Sequence, residues 1–324
     1  MAEMLFIGGS GLISSACVVR AVEMGHEVSV LNRGLATRPI PEAVKVLTGD
    51  ARQANTLVEA VQAKDFDVVV DFIGFTPEHV RFDLGALKDR VGQFVFISSA
   101  SAYQKPVGRL PIRESTPLRN PYWQYSRDKI ACEDLLVEAY REWGFPTTIV
   151  RPSHTYDRRA VPLTAGWTAV ARMRQHKPVV VHGDGTSLWV LTHHTDFARA
   201  FVALLGHPQA IGETFHITSD EVLTWDQIYR ILGRAAGAEP QLVHVSSETI
   251  AKAAPHWGPP LLGDMAHSVV FDNTNIRRIA PGWVATTPFA QGAEEIIAWH
   301  DADPARQVVD QKTDELLDWL VASV

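Results

Sequence analysis

Residues 4–25, MLFIGGSGLISSACVVRAVEMG, constrain this chain more than any other stretch: an apolar burst of strand length runs into Gly8, Gly9 and Gly11, and a helix-period segment follows. Glycine permits the tight turn and a close backbone approach, while the helix N-terminus offers unpaired N–H groups and the positive end of its dipole. Such a turn cradles a pyrophosphate when it opens a βαβ unit and is an ordinary connection otherwise. The rest of the first half decides between the two. EVSVL, VKVLT, DVVVDF, QFVFIS and TTIVR are further strand-length bursts, and residues 12–24, 55–63, 77–87 and 125–143 carry apolar side chains at helical spacing between them. The bursts are nearly continuous rather than alternating, as in strands buried on both faces. The expected fold is α/β, a doubly wound parallel sheet sandwiched by helices.

After Arg151 the rhythm changes, with Pro152, Pro162, Pro178, Gly183 and Gly185 punctuating shorter elements. Residues 1–157 are expected to form the dinucleotide-binding domain, rejoined by about 192–218, and 158–324 mainly a smaller substrate-binding region. Thirty basic against thirty-seven acidic residues give a net charge of -7 with no run of like charge, which argues against a nucleic-acid partner. Cys17 and Cys132 lie far apart without metal-ligand spacing, as expected in a reducing compartment such as the cytoplasm. No basic leader and no apolar run near 18 residues is visible, so neither secretion nor a membrane partner is expected.

Gly8, Ser10, Gly11, Leu12 and Ile13 are the candidate pyrophosphate cradle, with Ser14 where a third glycine is usual. At the end of EVSVLNRG, a carboxylate would hold the ribose hydroxyls of NAD. Asn32 and Arg33 stand there instead, with Arg38 five residues on. Cations there bind a 2′-phosphate or are simply solvated loop arginines; the missing carboxylate tips the reading from NAD toward NADP. Asp50, followed by Ala51, is placed either to accept from the adenine amino group or to cap a helix. QFVFIS ends in Ser98 and Ser99, and YSRDK sets Tyr125 and Lys129 four apart on one helix face. A nearby ammonium favours the tyrosinate, which exchanges a proton with a substrate hydroxyl or carbonyl, and Ser99 hydrogen-bonds the same oxygen. Tyr103, His154 and Arg158 are candidate substrate contacts. His193 and His194 are adjacent and lack an acidic or thiol partner at ligand spacing, so no metal is expected.

GGSGLIS, SSASAY, YSRDK and VRPSHTYD together resemble the extended or atypical short-chain dehydrogenases/reductases, of the NAD-dependent epimerase/dehydratase type, from about residue 4 into the C-terminal third. The resemblance implies a Rossmann-type sheet, a catalytic Ser99–Tyr125–Lys129 triad with Lys129 also on the nicotinamide ribose, and Pro152 and Ser153 at the nicotinamide end of the cofactor. It also implies a homodimer through two helices of the cofactor domain. Two departures matter. Members that dehydrate nucleotide sugars carry an Asp–Glu pair directly after the strand-end hydroxyl residue, where this chain has Ala100 and Ser101. Many nucleotide-sugar members carry an arginine in the stretch matching GDGTSLWVLTHHTDFA, where Leu188 and Trp189 stand here.

These features imply an NAD(P)-dependent enzyme acting by reversible hydride transfer on a sugar-like small molecule, an epimerase in the family's manner. The alternatives are an NADPH-dependent reductase of a small carbonyl compound, a cofactor-sensing regulator and an RNA-binding protein on the same fold. A regulator has no need of Tyr125 with Lys129, and the acidic balance disfavours RNA.

Overall fold

The computed structural model describes residues 1–34, 38–53 and 56–324, apart from the Ala63 side chain; the expected helix start at Asn55 lies outside the described residues. The first half is built from β1 (Glu3–Ile7), α1 (Leu12–Glu23), β2 (Glu27–Asn32), β3 (Lys45–Thr48), α2 (Thr56–Ala63), β4 (Phe66–Asp71), α3 (Pro77–Leu87), β5 (Val91–Ile97), α4 (Gln124–Trp143) and β6 (Thr147–Pro152). Local chemistry sets several boundaries. Pro77 opens α3 behind an extended Thr76, with Val80, Leu84 and Leu87 stacked on its buried face. Gly144 closes the 20-residue α4 in the left-handed conformation, φ 67°.

Six of these strands and Thr214–Ile217 form one seven-stranded sheet, in the order Thr214–Ile217, β6, β5, β4, β1, β2, β3. Every pairing is parallel. Alternate residues of each strand feed opposite layers. Phe6, Val30, Val68, Val95 and Val150 pack under α1 and helix His194–Leu204, whereas Leu5, Leu31, Val69, Phe94 and Ile149 pack under α2, α3 and α4. The chain leaves β1 toward β2 on one side and later toward β4 on the other. That reversal opens a crevice at the carboxyl ends of β1 and β4, where open parallel sheets bind ligands.

A second core gathers Tyr103, Tyr156, Trp189, Trp225, Phe271 and Phe289 from the remainder of the chain. Val179–His182 pairs in parallel with Leu242–Val245, and Leu188–Trp189 antiparallel with Leu223–Thr224. The segment around Ile276, Ile279 and Trp283 turns back and packs on the sheet's α1 face. Among the described residues no helix is long and apolar enough to cross a membrane.

Candidate active site

The glycine turn joins β1 to α1 at the crevice. Gly8 has φ 82°, and a Cβ there would sit 2.6 Å from Ile73 Cγ2; a Cβ on Gly9 would meet both Val30 methyls at 2.7 Å. Only glycine fits both places. Ser14 takes an active part in the turn, because its hydroxyl accepts from Gly11 N at 2.8 Å and donates to Gly8 O at 2.7 Å. The first helical bond runs from Ser15 N to Gly11 O, so the amides of Leu12 and Ile13 lie ahead of the helical ladder. A cavity of about 170 Å³ opens there, lined by Gly8, Ser10, Gly11, Asn32, Arg33 and Ala51 among others. Buried Asn32 has an Nδ2 with no hydrogen-bond partner beside this cavity. The glycine cradle, the helix terminus and this orphaned amide fit a dinucleotide.

Two expected cofactor residues point elsewhere. Arg38 Nε donates to Asp157 Oδ2 at 2.6 Å, a largely buried pair that draws its guanidinium away from Arg33. Asp50 Oδ1 accepts from Arg52 N at 2.9 Å, closing its own turn, and Gly49 and Ala51 line the cavity instead. α2 begins only at Thr56, so Asp50 is not its cap either.

Ser99 follows β5, and Tyr125 and Lys129 lie on the first turns of α4, at the same sheet edge. Ser101 N donates to Ser99 Oγ at 3.1 Å, the two hydroxyls share a bond of 2.8 Å, and Ser126 Oγ donates to Ser101 Oγ at 2.7 Å. The Ser99 hydroxyl is thereby fixed next to the phenol of Tyr125, whose pKa a hydrogen bond from Ser99 lowers while burial raises it by more. Lys129 is fully buried and its Nζ donates to Gly74 O at 2.7 Å and Ile97 O at 2.6 Å. Its ammonium lies 5.8 Å from the Tyr125 ring centre, and burial pushes its pKa down to about 8. The structure therefore brings the three side chains together but corrects one expectation. In this state the phenol titrates above its ordinary range, because desolvation outweighs every favourable contact.

Other expected contacts are committed to the core. The Ser98 hydroxyl donates to Glu133, which chelates Arg151 through Nε at 3.0 Å and Nη2 at 2.5 Å, so Ser98 braces β5, α4 and β6 rather than facing a cofactor. Tyr103 is fully buried, with its OH 3.0 Å from His216 Nδ1 and the Arg151 guanidinium 4.8 Å from its ring, so it does not reach substrate. Arg158 lines a different groove, against α1. Pro152 ends β6 and Ser153 follows it; Ser98 N donates to Val150 O on the same strand. His154 lies on the adjoining strand His154–Tyr156 and accepts from Trp189 Nε1 at 3.1 Å; burial pushes its pKa down to about 4, which keeps the imidazole neutral at pH 7.

Sequence reasoning missed Lys105 and Asp264. Lys105 is fully buried, and its Nζ faces Asp264 Oδ1 at 3.1 Å without hydrogen-bonding geometry. The Asp264 charge acts on both Tyr125 and His154. No local pattern announces this pair; the fold creates it by docking the turn at Gly263 on Asn120, whose Nδ2 donates to Gly263 O at 2.7 Å.

The model of the NAD dependent epimerase/dehydratase family matches residues 4–218. The chloroplast stem-loop binding protein of 41 kDa b of Arabidopsis thaliana is 27% identical over 256 residues, which cover 75% of this chain but only 65% of that relative's length. The UDP-glucose 4-epimerase of Lactobacillus helveticus is 24% identical, across 93% of this chain and 98% of the relative. A crystal structure of UDP-glucose 4-epimerase from Bifidobacterium longum, in complex with NAD+ and UDP, superposes with a TM-score of 0.73 at 20% identity, covering 93% of this chain and 98% of that one. That last likeness is one of fold. Since the family model spans well over half of its length, the chain belongs to the NAD dependent epimerase/dehydratase family.

Proposed function

We propose that the chain transfers hydride reversibly between a nicotinamide dinucleotide on the glycine turn and the carbinol or keto carbon of a sugar-like substrate, acting as a nucleotide-sugar epimerase. The observation that carries this is the convergence of Ser99, Tyr125 and Lys129 on the sheet edge that holds the glycine cradle. The dinucleotide, when bound, supplies the hydride acceptor and donor. Gly8, Gly11 and the amides opening α1 would hold its pyrophosphate, Asn32 its ribose, and Arg33 the 2′-phosphate of NADP. With Arg38 tied to Asp157, the preference for NADP rests on Arg33 alone.

Tyr125 would take the substrate hydroxyl proton in the oxidative direction, for which the dinucleotide would supply the hydride acceptor, and the phenol would return it in the reverse direction. A phenol with a raised pKa is ready to donate to a carbonyl. To accept, it must first ionise, and the Lys129 ammonium with the positive charge of an oxidised dinucleotide favours that. Ser99, anchored by the Ser101 amide, holds the substrate oxygen. Ala100 and Ser101 supply no acid or base for elimination, so dehydration lies outside this mechanism. A second reading, an NADPH-dependent reductase of a small carbonyl compound, draws on Trp189 bonded to His154 where a diphosphate-binding arginine was expected.

Purified protein offered UDP-glucose with NAD, and followed by NMR for inversion in the sugar ring, tests the first reading. Inversion with a dinucleotide that copurifies supports it. Oxidation or reduction without inversion, with a freely exchanging dinucleotide, supports the second; turnover that survives Tyr125→Phe overturns both.

A further inference from the structure

We infer that the groove between α1 and helix His194–Leu204 is a second ligand site, built for a small phosphorylated molecule. It is independent of the catalytic reading. The groove has a volume of about 680 Å³, against about 170 Å³ at the glycine turn, and lies on the outer side of α1. Arg20, Arg38, Arg158, Arg159 and Arg199 line it, opposed by the carboxylates of Glu23, Asp157 and Glu295. In a chain with net charge -7, five guanidiniums around one cavity are a local reversal of sign.

Three of the five hold carboxylates. Arg38 holds Asp157 at 2.6 Å, Arg199 holds Asp196 at 2.5 Å and Arg20 holds Glu23 at 3.2 Å. Arg159 lies 5.5 Å from the Trp299 ring centre. Exposed Arg158 makes no ion pair or hydrogen bond among the described residues, so its fork is available to a ligand. At the floor, His193 is nine-tenths buried; its Nδ1 is 2.7 Å from Thr195 Oγ1, and its Nε2 has no hydrogen-bond partner although Glu295 lies 3.3 Å away. A buried nitrogen left unsatisfied at a cavity wall calls for a ligand atom. A neutral imidazole donating from Nε2 and a guanidinium fork together suit a phosphoryl group. Size selects the rest: a groove of about 680 Å³ takes a metabolite.

Calorimetric titration of inorganic pyrophosphate into the chain saturated with NAD, which keeps the glycine turn occupied, tests the site. Arg158→Glu is expected to weaken binding by tenfold or more while NAD affinity and turnover stay unchanged. Arg90→Glu, in the exposed turn before β5, controls for loss of general positive charge and should bind as wild type. No binding, equal binding in all three proteins, or equal loss in both variants overturns the inference. So does an RNA stem-loop that binds through Arg158 when pyrophosphate does not.

Discussion

Replacing Lys129 by methionine keeps the aliphatic stem and removes the ammonium, which isolates what that charge costs the fold. The side chain is buried with two carbonyl partners, and its pKa falls from an ordinary 10.5 to about 8, chiefly through desolvation. For a basic group whose folded pKa is lowered, the unfolded chain holds the proton more tightly. Stability is therefore depressed below about pH 8 and recovers as pH rises toward 10.5. At about 1.4 kcal/mol per pKa unit the recovery is about 3 kcal/mol, a ceiling because the Gly74 and Ile97 carbonyls favour the charged form. Methionine carries no such penalty, but it leaves both carbonyls without a donor at every pH. Urea unfolding of the cofactor-free wild type and variant between pH 7 and 10.5 reads the difference directly. The advantage of wild type over Lys129→Met should be smallest at pH 7 and widen by up to about 3 kcal/mol at the alkaline end. A gap that is constant or narrows with pH would show that the ammonium is not held at a desolvation cost.

Tyr125→Phe should lower turnover by about 10² to 10⁴ while the dissociation constant for the dinucleotide stays within twofold, since the ring still packs against Trp123; a variant with a tenth of wild-type kcat removes Tyr125 from proton transfer. Arg33→Asp should weaken NADP binding by about tenfold or more and leave NAD nearly unchanged, as loss of a charged hydrogen bond demands, and equal losses for both dinucleotides count against a 2′-phosphate contact. Nucleotide hexoses incubated in heavy water should give no 4-keto-6-deoxy product, because no carboxylate follows Ser99; stoichiometric product seen by NMR refutes that argument.

Short-range spacing made the cofactor turn and the Tyr125–Lys129 pair readable, because both depend on backbone geometry within one turn or one helix face. Side chains whose direction depends on distant partners were not readable. Arg38 looked like a partner for Arg33 until Asp157 arrived from beyond β6. Ser98 and Tyr103 sit one and four residues from real cleft positions, yet Glu133 and His216 turn both inward. Ser14 reads as a mere tolerated substitute for glycine; only the folded turn shows its hydroxyl lacing Gly8 to Gly11. Lys105 and Asp264 belong to segments with no sequence relation, so nothing short of the tertiary arrangement reveals them.

The layer over α1's side of the sheet has a consequence for how the chain is made. Nearly every residue assigned to the cofactor and to proton transfer is translated by Ser153, but the layer in which Phe6, Val68, Val95 and Val150 pack against α1 is completed by Phe197, Phe201, Phe215, Ile276 and Trp283. On the ribosome the first six strands are thus a half-covered sheet whose outer partner for β6 does not yet exist. A stop placed after Asp157 would release that open face and an unprotected sheet edge into solution, where such surfaces associate. Productive folding waits for the residues around 283, so a segment made late is what closes the part that was made first.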